Sequence, residues 1–186
     1  MATSKLRIAG GTARGVPLTE PRGYRLRPTS GLVREAIFNI LGDIVEGATV
    51  LDLYAGTGAL GIEALSRGAS HATFIDAEPA SGAAILQSLA RANFAAQAQV
   101  LRGRLPVALR TLSTLFDIIF MDPPYGDDSA EQTLLAVAER LTPGGTVVYE
   151  HGSKYNPPER PRGLRITDRR VYGDTALALY GSEEGE

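Results

Sequence analysis

Twelve residues constrain this chain more than any others: Val50-Leu51-Asp52-Leu53-Tyr54-Ala55-Gly56-Thr57-Gly58-Ala59-Leu60-Gly61. An apolar run ends in a carboxylate, passes through a glycine-rich turn and enters Leu60-Gly61-Ile62-Glu63-Ala64-Leu65, which reads as helix. Strand, turn and helix in that order open a doubly wound α/β sheet. Gly56, Gly58 and Gly61 carry the GxGxxG spacing of nucleotide-binding turns, where glycine lets the backbone bend tightly and approach a ligand. Many α/β proteins contain such a turn, so its neighbours must decide what it binds.

The rest of the chain alternates in the same manner. The pattern predicts strands at 48–53, 72–76, 98–102, 116–121 and 145–150, and helices at about 59–67, 79–93, 105–113 and 129–141. Such alternation implies parallel βαβ units with right-handed crossovers. Before it, residues 6–19 read as a small hairpin or a pair of short strands. Ser30 can cap a helix running to about Leu41. Pro143-Gly144-Gly145 predicts a tight turn, and Ser153–Arg165 a loop rich in Pro and Arg. Arg170 to Tyr180 reads as two short strands about a Gly173-Asp174 turn, an antiparallel edge.

Three carboxylates fall at predicted strand ends. Asp52 lies four residues before Gly56. A dinucleotide would bring its anionic pyrophosphate there and be repelled, whereas S-adenosylmethionine (SAM) brings an ammonium and a sulfonium. Asp76 lies twenty residues after Gly56, the spacing at which an acid accepts from ribose hydroxyls. Asp122-Pro123-Pro124-Tyr125 follows the apolar run Phe116–Met121. Its prolines fix the backbone and remove two donors, leaving the Asp122 carboxylate and nearby carbonyls as acceptors beside the flat Tyr125 ring. That combination suits a planar base with an exocyclic amine: the amine donates to the turn and the ring stacks on Tyr125.

The net charge of −2 conceals an asymmetry. Residues 1–35 carry +5, residues 153–172 carry +4, and the remainder therefore carries −11. Eleven of the thirteen basic residues in the two segments are Arg, the better partner for phosphate forks and base faces. If the segments meet, they make a basic face on an acidic protein, a footprint that suits nucleic acid. There are no cysteines, and His71 and His151 form no metal-like cluster, so no metal site is expected. No signal peptide is visible and no apolar run approaches membrane-spanning length, so a cytoplasmic location and no membrane partner are expected.

Asp-x-x-x-Gly-x-Gly followed by Asp-Pro-Pro-Tyr resembles class I SAM-dependent methyltransferases acting on an amino nitrogen of a base. More closely, the chain resembles the bacterial family that methylates N2 of guanine 966 in 16S ribosomal RNA. The carrying pieces are Arg7-Ile8-Ala9-Gly10-Gly11 with Arg14-Gly15, Arg27-Pro28-Thr29, Val33-Arg34-Glu35 with Phe38-Asn39, Leu51 to Gly68, the Asp122–Tyr125 turn and Val171-Tyr172-Gly173-Asp174. The resemblance implies a Rossmann-like α/β fold with a seven-stranded, mostly parallel sheet, one antiparallel edge strand and a small basic N-terminal hairpin extension. It implies an RNA-contacting extension at 1–30, a methyltransferase domain at 31–181 and an acidic tail at 182–186. The cofactor would be SAM, held by Asp52, Tyr54, Gly56, Gly58, Asp76, Ala77, Gly103 and Arg104. Asp122, Pro123, Pro124 and Tyr125 would hold the base, and Arg7, Arg14, Arg27 and Arg34 the RNA. The partner would be 16S rRNA in the assembled or assembling small subunit, with no obligate protein partner.

The chain departs from the family pattern at two functional places. Gly31-Leu32 stands where Asp-Arg is usual, removing a helix-start acid and a cation. Arg104 stands where an Asp or Asn often accepts from adenine N6. A guanidinium cannot accept a hydrogen bond, so adenine is expected to be read by backbone groups. Two rival readings share some of these features: an adenine-N6 methylase on DNA or RNA, and a nucleotide-binding module without catalysis.

Overall fold

The computed structural model describes residues 6–21, 31–124 and 126–182. Ser30, Arg27 and Tyr125, to which the sequence assigns a helix cap, an RNA contact and a stacking face, lie outside them, as do residues 183–186 of the tail.

Among the described residues seven strands form one sheet: β1 Thr49–Leu53, β2 His71–Asp76, β3 Ala98–Arg102, β4 Phe116–Met121, β5 Leu141–Gly152, β6 Leu164–Tyr172 and β7 Thr175–Ser182. Their order is β3-β2-β1-β4-β5-β7-β6. The first five pair in parallel, and β7 runs antiparallel to both β5 and β6. The reversed strand is thus inserted beside β5, and β6 forms the edge. The α-helices are α1 Gly31–Leu41, which precedes the sheet, and α2 Ala59–Ser66, α3 Pro79–Ala92 and α4 Ala130–Val137, which connect its strands.

Burial on both faces explains the near-continuous apolar strands. Val50, Phe74, Ile118, Phe120 and Val148 point to a core shared with α1, α2 and α3. Leu51, Leu53, Ile75, Ile119, Met121 and Tyr149 point to a second core with Leu134 and Val137 of α4. Phe38 of α1 packs on Phe120 with ring centroids 5.8 Å apart and planes tilted by 58°.

Four elements differ from the sequence expectation. The helix expected at 105–113 is a 3-10 helix over Val107–Thr111, closed by Leu109 N–H donating to the Pro106 carbonyl. Only five residues separate Pro106, which has no donor, from the extended Leu112, too few for a stable α-helix. The helix expected to reach residue 141 ends at Val137 with one 3-10 turn, because Leu141 already pairs with Phe116. β5 therefore starts earlier than expected. Pro143-Gly144-Gly145 lies inside it as an irregularity that shifts the register between Phe116 and Ile118. The C-terminal hairpin is longer than expected, nine and eight residues about Gly173-Asp174.

The described N-terminal segment, residues 6–21, packs on the main core. Its expected hairpin is a ladder of backbone bonds around one antiparallel bridge, Arg7 to Pro17. Ile8 and Leu18 are buried in the α1–α3 core. Gly11 fits so closely over the end of α2 that a Cβ there would lie 1.8 Å from the Ser66 carbonyl oxygen. No side chain is accommodated at that contact, which accounts for glycine at the docking point.

Candidate functional site

Parallel strands and the register between them gather the three carboxylates. Asp52 lies level with Phe74 of β2 and Phe120 of β4. Residues level with one another, and residues two apart on a strand, share a face. Asp52 and Asp76 therefore sit on adjacent strands, on the face shared with α1–α3, and Asp122 follows β4 close enough to act on Asp52, at the carboxyl ends where open α/β sheets place ligands.

Asp52 is buried at 3% exposure, and its Oδ2 accepts from Gly61 N–H at 2.9 Å. Gly61 is the third residue of α2, so Asp52 satisfies one of the helix's orphan donors from a distance. Burial pushes its carboxyl up to about 8, against the lowering effect of the Gly61 bond and with further upward pressure from Asp122 and Asp76. Gly61 serves packing rather than a ligand: a Cβ there would stand 2.3 Å from the Phe74 ring. Gly56 and Gly58 take positive φ angles of 54° and 73°, and Tyr54 also stands at φ 56°. These angles turn the chain from β1 into α2. The Tyr54 side chain leaves the turn on the opposite face and its hydroxyl meets Thr133 Oγ1 of α4 at 2.9 Å.

Asp76 braces the same turn. Its Oδ2 accepts from Gly56 N–H at 2.8 Å and its Oδ1 from Glu78 N–H at 2.8 Å. Each carboxylate oxygen keeps a second lone-pair site, so both remain able to accept from a diol. Next to it opens a cleft of about 270 Å³ lined by Ala77, Glu78, Pro79, Arg102, Gly103 and Arg104. Gly103 N–H is already given to the Asp76 carbonyl at 3.0 Å, and the Arg104 side chain is exposed. Glu78 and Arg102, which no sequence motif singles out, complete this wall. Their only signal was position, immediately after β2 and at the end of β3.

Asp122, half-buried, follows β4 with Pro123 and Pro124. The chain then closes a turn in which Asp127 N–H donates to the Pro124 carbonyl at 3.1 Å. Asp127 Oδ1 in turn accepts from Ser129 N–H and Oγ just ahead of α4. The acceptor turn is thus held from both sides.

The basic residues divide. Arg7 and Arg14 are exposed, Arg7 Nη1 donating to the Gly15 carbonyl at 2.7 Å. Arg34 is 4% exposed and is corrected from an RNA contact to a structural residue. Its Nη2 donates to the Arg7 carbonyl at 2.7 Å and its Nε lies 3.7 Å from Glu63. Burial lowers the pKa of its guanidinium despite Glu63. A cation enclosed between α1, α2 and the N-terminal ladder cannot reach a phosphate.

Glu63 is an organising residue that the sequence motifs do not reveal. Only 1% exposed, it accepts from Ala9 N–H and Gly10 N–H, each at 2.7 Å, and from Arg67 Nε at 2.8 Å. The available signal was a lone charge inside the apolar helix Leu60–Leu65.

A family model described as Conserved hypothetical protein 95 matches residues 6–181. The chain is 34% identical to Ribosomal RNA small subunit methyltransferase D of Escherichia coli (strain K12), over 99% of this chain and 94% of that one. It is 30% identical to the protein of the same name from Haemophilus influenzae, over 96% and 95%. Among solved structures it is similar to yhhF from Escherichia coli, with a TM-score of 0.85 and 33% identity over 98% of this chain and 100% of that one.

Proposed function

The chain belongs to the Conserved hypothetical protein 95 family, and from that membership we propose that it methylates N2 of a guanine in 16S ribosomal RNA, guanine 966 by family resemblance, with SAM as donor. The observation that carries the reading is the row of Asp52, Asp76 and Asp122 on adjacent strand ends around a glycine turn. Such a site repels phosphates and suits a cationic nucleoside. The cleft beside Asp76 is close to the lower end of ligand-pocket sizes, roughly 300 Å³.

When bound, SAM supplies an electrophilic methyl carbon on a sulfonium, and the products are N2-methylguanine and S-adenosylhomocysteine. The chain's own residues bind and align. Asp52 faces the ammonium end, Asp76 accepts from the ribose, and Ala77, Gly103 and Arg104 border the adenine. The Asp122 carboxylate and the Pro123 carbonyl accept hydrogen bonds from the exocyclic amine of guanine, which localises the N2 lone pair, and the proton that N2 loses on gaining the methyl group passes to solvent. Holding two reactants in line can contribute several kcal/mol, about 7 or more in favourable cases. Small-subunit particles lacking the modification, incubated with tritiated SAM and digested to nucleosides, test the assignment. N2-methylguanosine is expected, and N6-methyladenosine would select the adenine methylase instead. SAM binding without transfer to any RNA would select the binding module.

Asp52 makes cofactor binding depend on pH. Its folded pKa lies above the ordinary carboxyl value, so the empty site holds the proton below about pH 8. A bound cation favours the ionised form and expels that proton. SAM affinity should therefore rise with pH by up to about tenfold per unit below 8 and level off above it. Calorimetry at pH 7 in two buffers of different ionisation enthalpy should show proton release for the wild type and none for Asp52→Asn. Tight NAD binding without SAM binding would overturn the cofactor assignment.

RNA docking is assigned to the N-terminal extension through Arg7 and Arg14. Replacing both by Ala should raise the KM for RNA and leave the SAM Kd unchanged. The slope of log affinity against log salt should fall by about one for each phosphate no longer neutralised. An unaltered salt titration would leave these arginines as a solvated face.

A further inference from the structure

The α4 face of the sheet carries an aromatic cluster that neither the cofactor site nor the acceptor turn uses. Tyr149 and His151, both buried, are two residues apart on this face of β5, with ring centroids 5.3 Å apart. Tyr155, from the loop that follows, meets Tyr149 edge-on at 6.5 Å and 70°, and His151 at 5.8 Å and 76°. Its backbone N–H is tied to the Gly152 carbonyl at 2.9 Å. The Tyr155 ring is therefore fixed, yet Tyr155 remains 41% exposed. A fixed and exposed aromatic face costs little entropy to use as a stacking surface.

Its surroundings carry both signs, and Glu131 of α4 is the charge that acts on the Tyr155 hydroxyl. Arg169 of β6 lies level with Ala178, and Ala178 with Tyr149, so all three share one row of the same face. Val171, 68% exposed, occupies the equivalent row from His151 through Ala176. Lys154 precedes Tyr155 and is exposed. Glu159 offsets part of this charge, at 3.6 Å from Arg169. Burial, opposed by the Gly152 bond and reinforced by Arg169, keeps His151 below the ordinary histidine value and hence a neutral ring at pH 7.

The place is adjacent to the acceptor turn. Tyr149 pairs with Met121, the residue before Asp122, on strands about 4.8 Å apart. Exposed aromatics beside cations are the recognition elements for single-stranded bases, which offer a ring face and a phosphate together. We propose that Tyr155, backed by His151 and Tyr149, with Arg169 on the same face of the sheet, stacks on a nucleotide neighbouring the methylated guanine and holds the unpaired strand across the rim of the sheet. This rests on the reading of the chain as an rRNA methyltransferase.

Wild type is first assayed on small-subunit particles lacking the modification. Absence of N2-methylguanosine there would fail the functional reading, whatever Tyr155 does. With activity in hand, Tyr155→Ala should raise the KM for particles about tenfold, the scale of one base stack, with kcat within about twofold. Tyr155→Phe should restore the wild-type KM, since stacking needs the ring and not the hydroxyl. Lines of log affinity against log salt for wild type and Tyr155→Ala should be parallel, because no charge is removed. Tyr155→Leu, which keeps apolar contact with Tyr149 and His151 but has no flat face, carries the same test if the alanine variant melts early. Unchanged KM in both variants would overturn the proposal. So would a parallel loss of SAM affinity and melting temperature, which marks Tyr155 as structural. A shift seen with particles but absent in filter binding to deproteinised 16S rRNA would assign the contact to a ribosomal protein and overturn the stacking role.

Discussion

Asp122→Ala is expected to lower turnover by about a hundredfold or more while the protein stays folded and binds SAM. The residue directly follows β4 and precedes two prolines, so its carboxylate is presented by a backbone that cannot relax around the substitution. Guanine N2 is a poor nucleophile because its lone pair is delocalised into the ring. An aligned acceptor matters most at the moment that lone pair is drawn out, so the loss should fall on kcat rather than on RNA affinity. Single-turnover transfer from tritiated SAM, with thermal melting as the control, measures it. A second consequence has a definite sign. Asp122 raises the Asp52 pKa, so its removal should move the pH dependence of SAM binding to lower pH. Near-normal turnover would leave the Asp122–Pro124 segment as a structural turn only.

Glu63→Ala is expected to be the most damaging change for stability, about 3–5 kcal/mol, read as a lower urea midpoint. The variant leaves two backbone donors of the N-terminal ladder without their acceptor and the buried Arg34 without its nearest carboxylate. Each loss falls in a site shielded from water, where the full desolvation cost is felt. The two residues should also couple: Arg34→Met ought to cost less in the Glu63→Ala background than in the wild type, because the buried cation is by then already unpaired. A cost below about 1 kcal/mol for Glu63→Ala would show that water replaces the missing acceptor, as it does for surface ion pairs. The prediction matters for function because Glu63 and Gly11 together dock the segment that carries Arg7 and Arg14.

The order of the elements and the ends of the central strands are legible in the chain alone. Apolar runs buried on both faces leave little freedom in where β1, β2 and β4 lie, and the carboxylates that terminate them were visible for the same reason. Short-range punctuation was less decisive. Pro143-Gly144-Gly145 reads as a turn, yet pairing with β4 extends β5 on both sides of it, because ladder bonds across the sheet outweigh a local bend.

Which charges meet water depends instead on how distant segments pack. Arg7, Arg14 and Arg34 are alike in sequence, but α1 carries Arg34 inward against Glu63 and the Arg7 carbonyl while the other two remain outside. Burial is a property of contacts between segments tens of residues apart, and no local pattern records it. The same holds for Asp52, whose pKa rises because the folded chain removes water and brings Asp122 and Asp76 close. It holds also for Tyr149, His151 and Tyr155. In the sequence two of these rings close an apolar run and the third opens a Pro- and Arg-rich loop. The pleat of β5 puts the first two on one face and the following loop folds the third against them, because side chains two apart on a strand must point the same way.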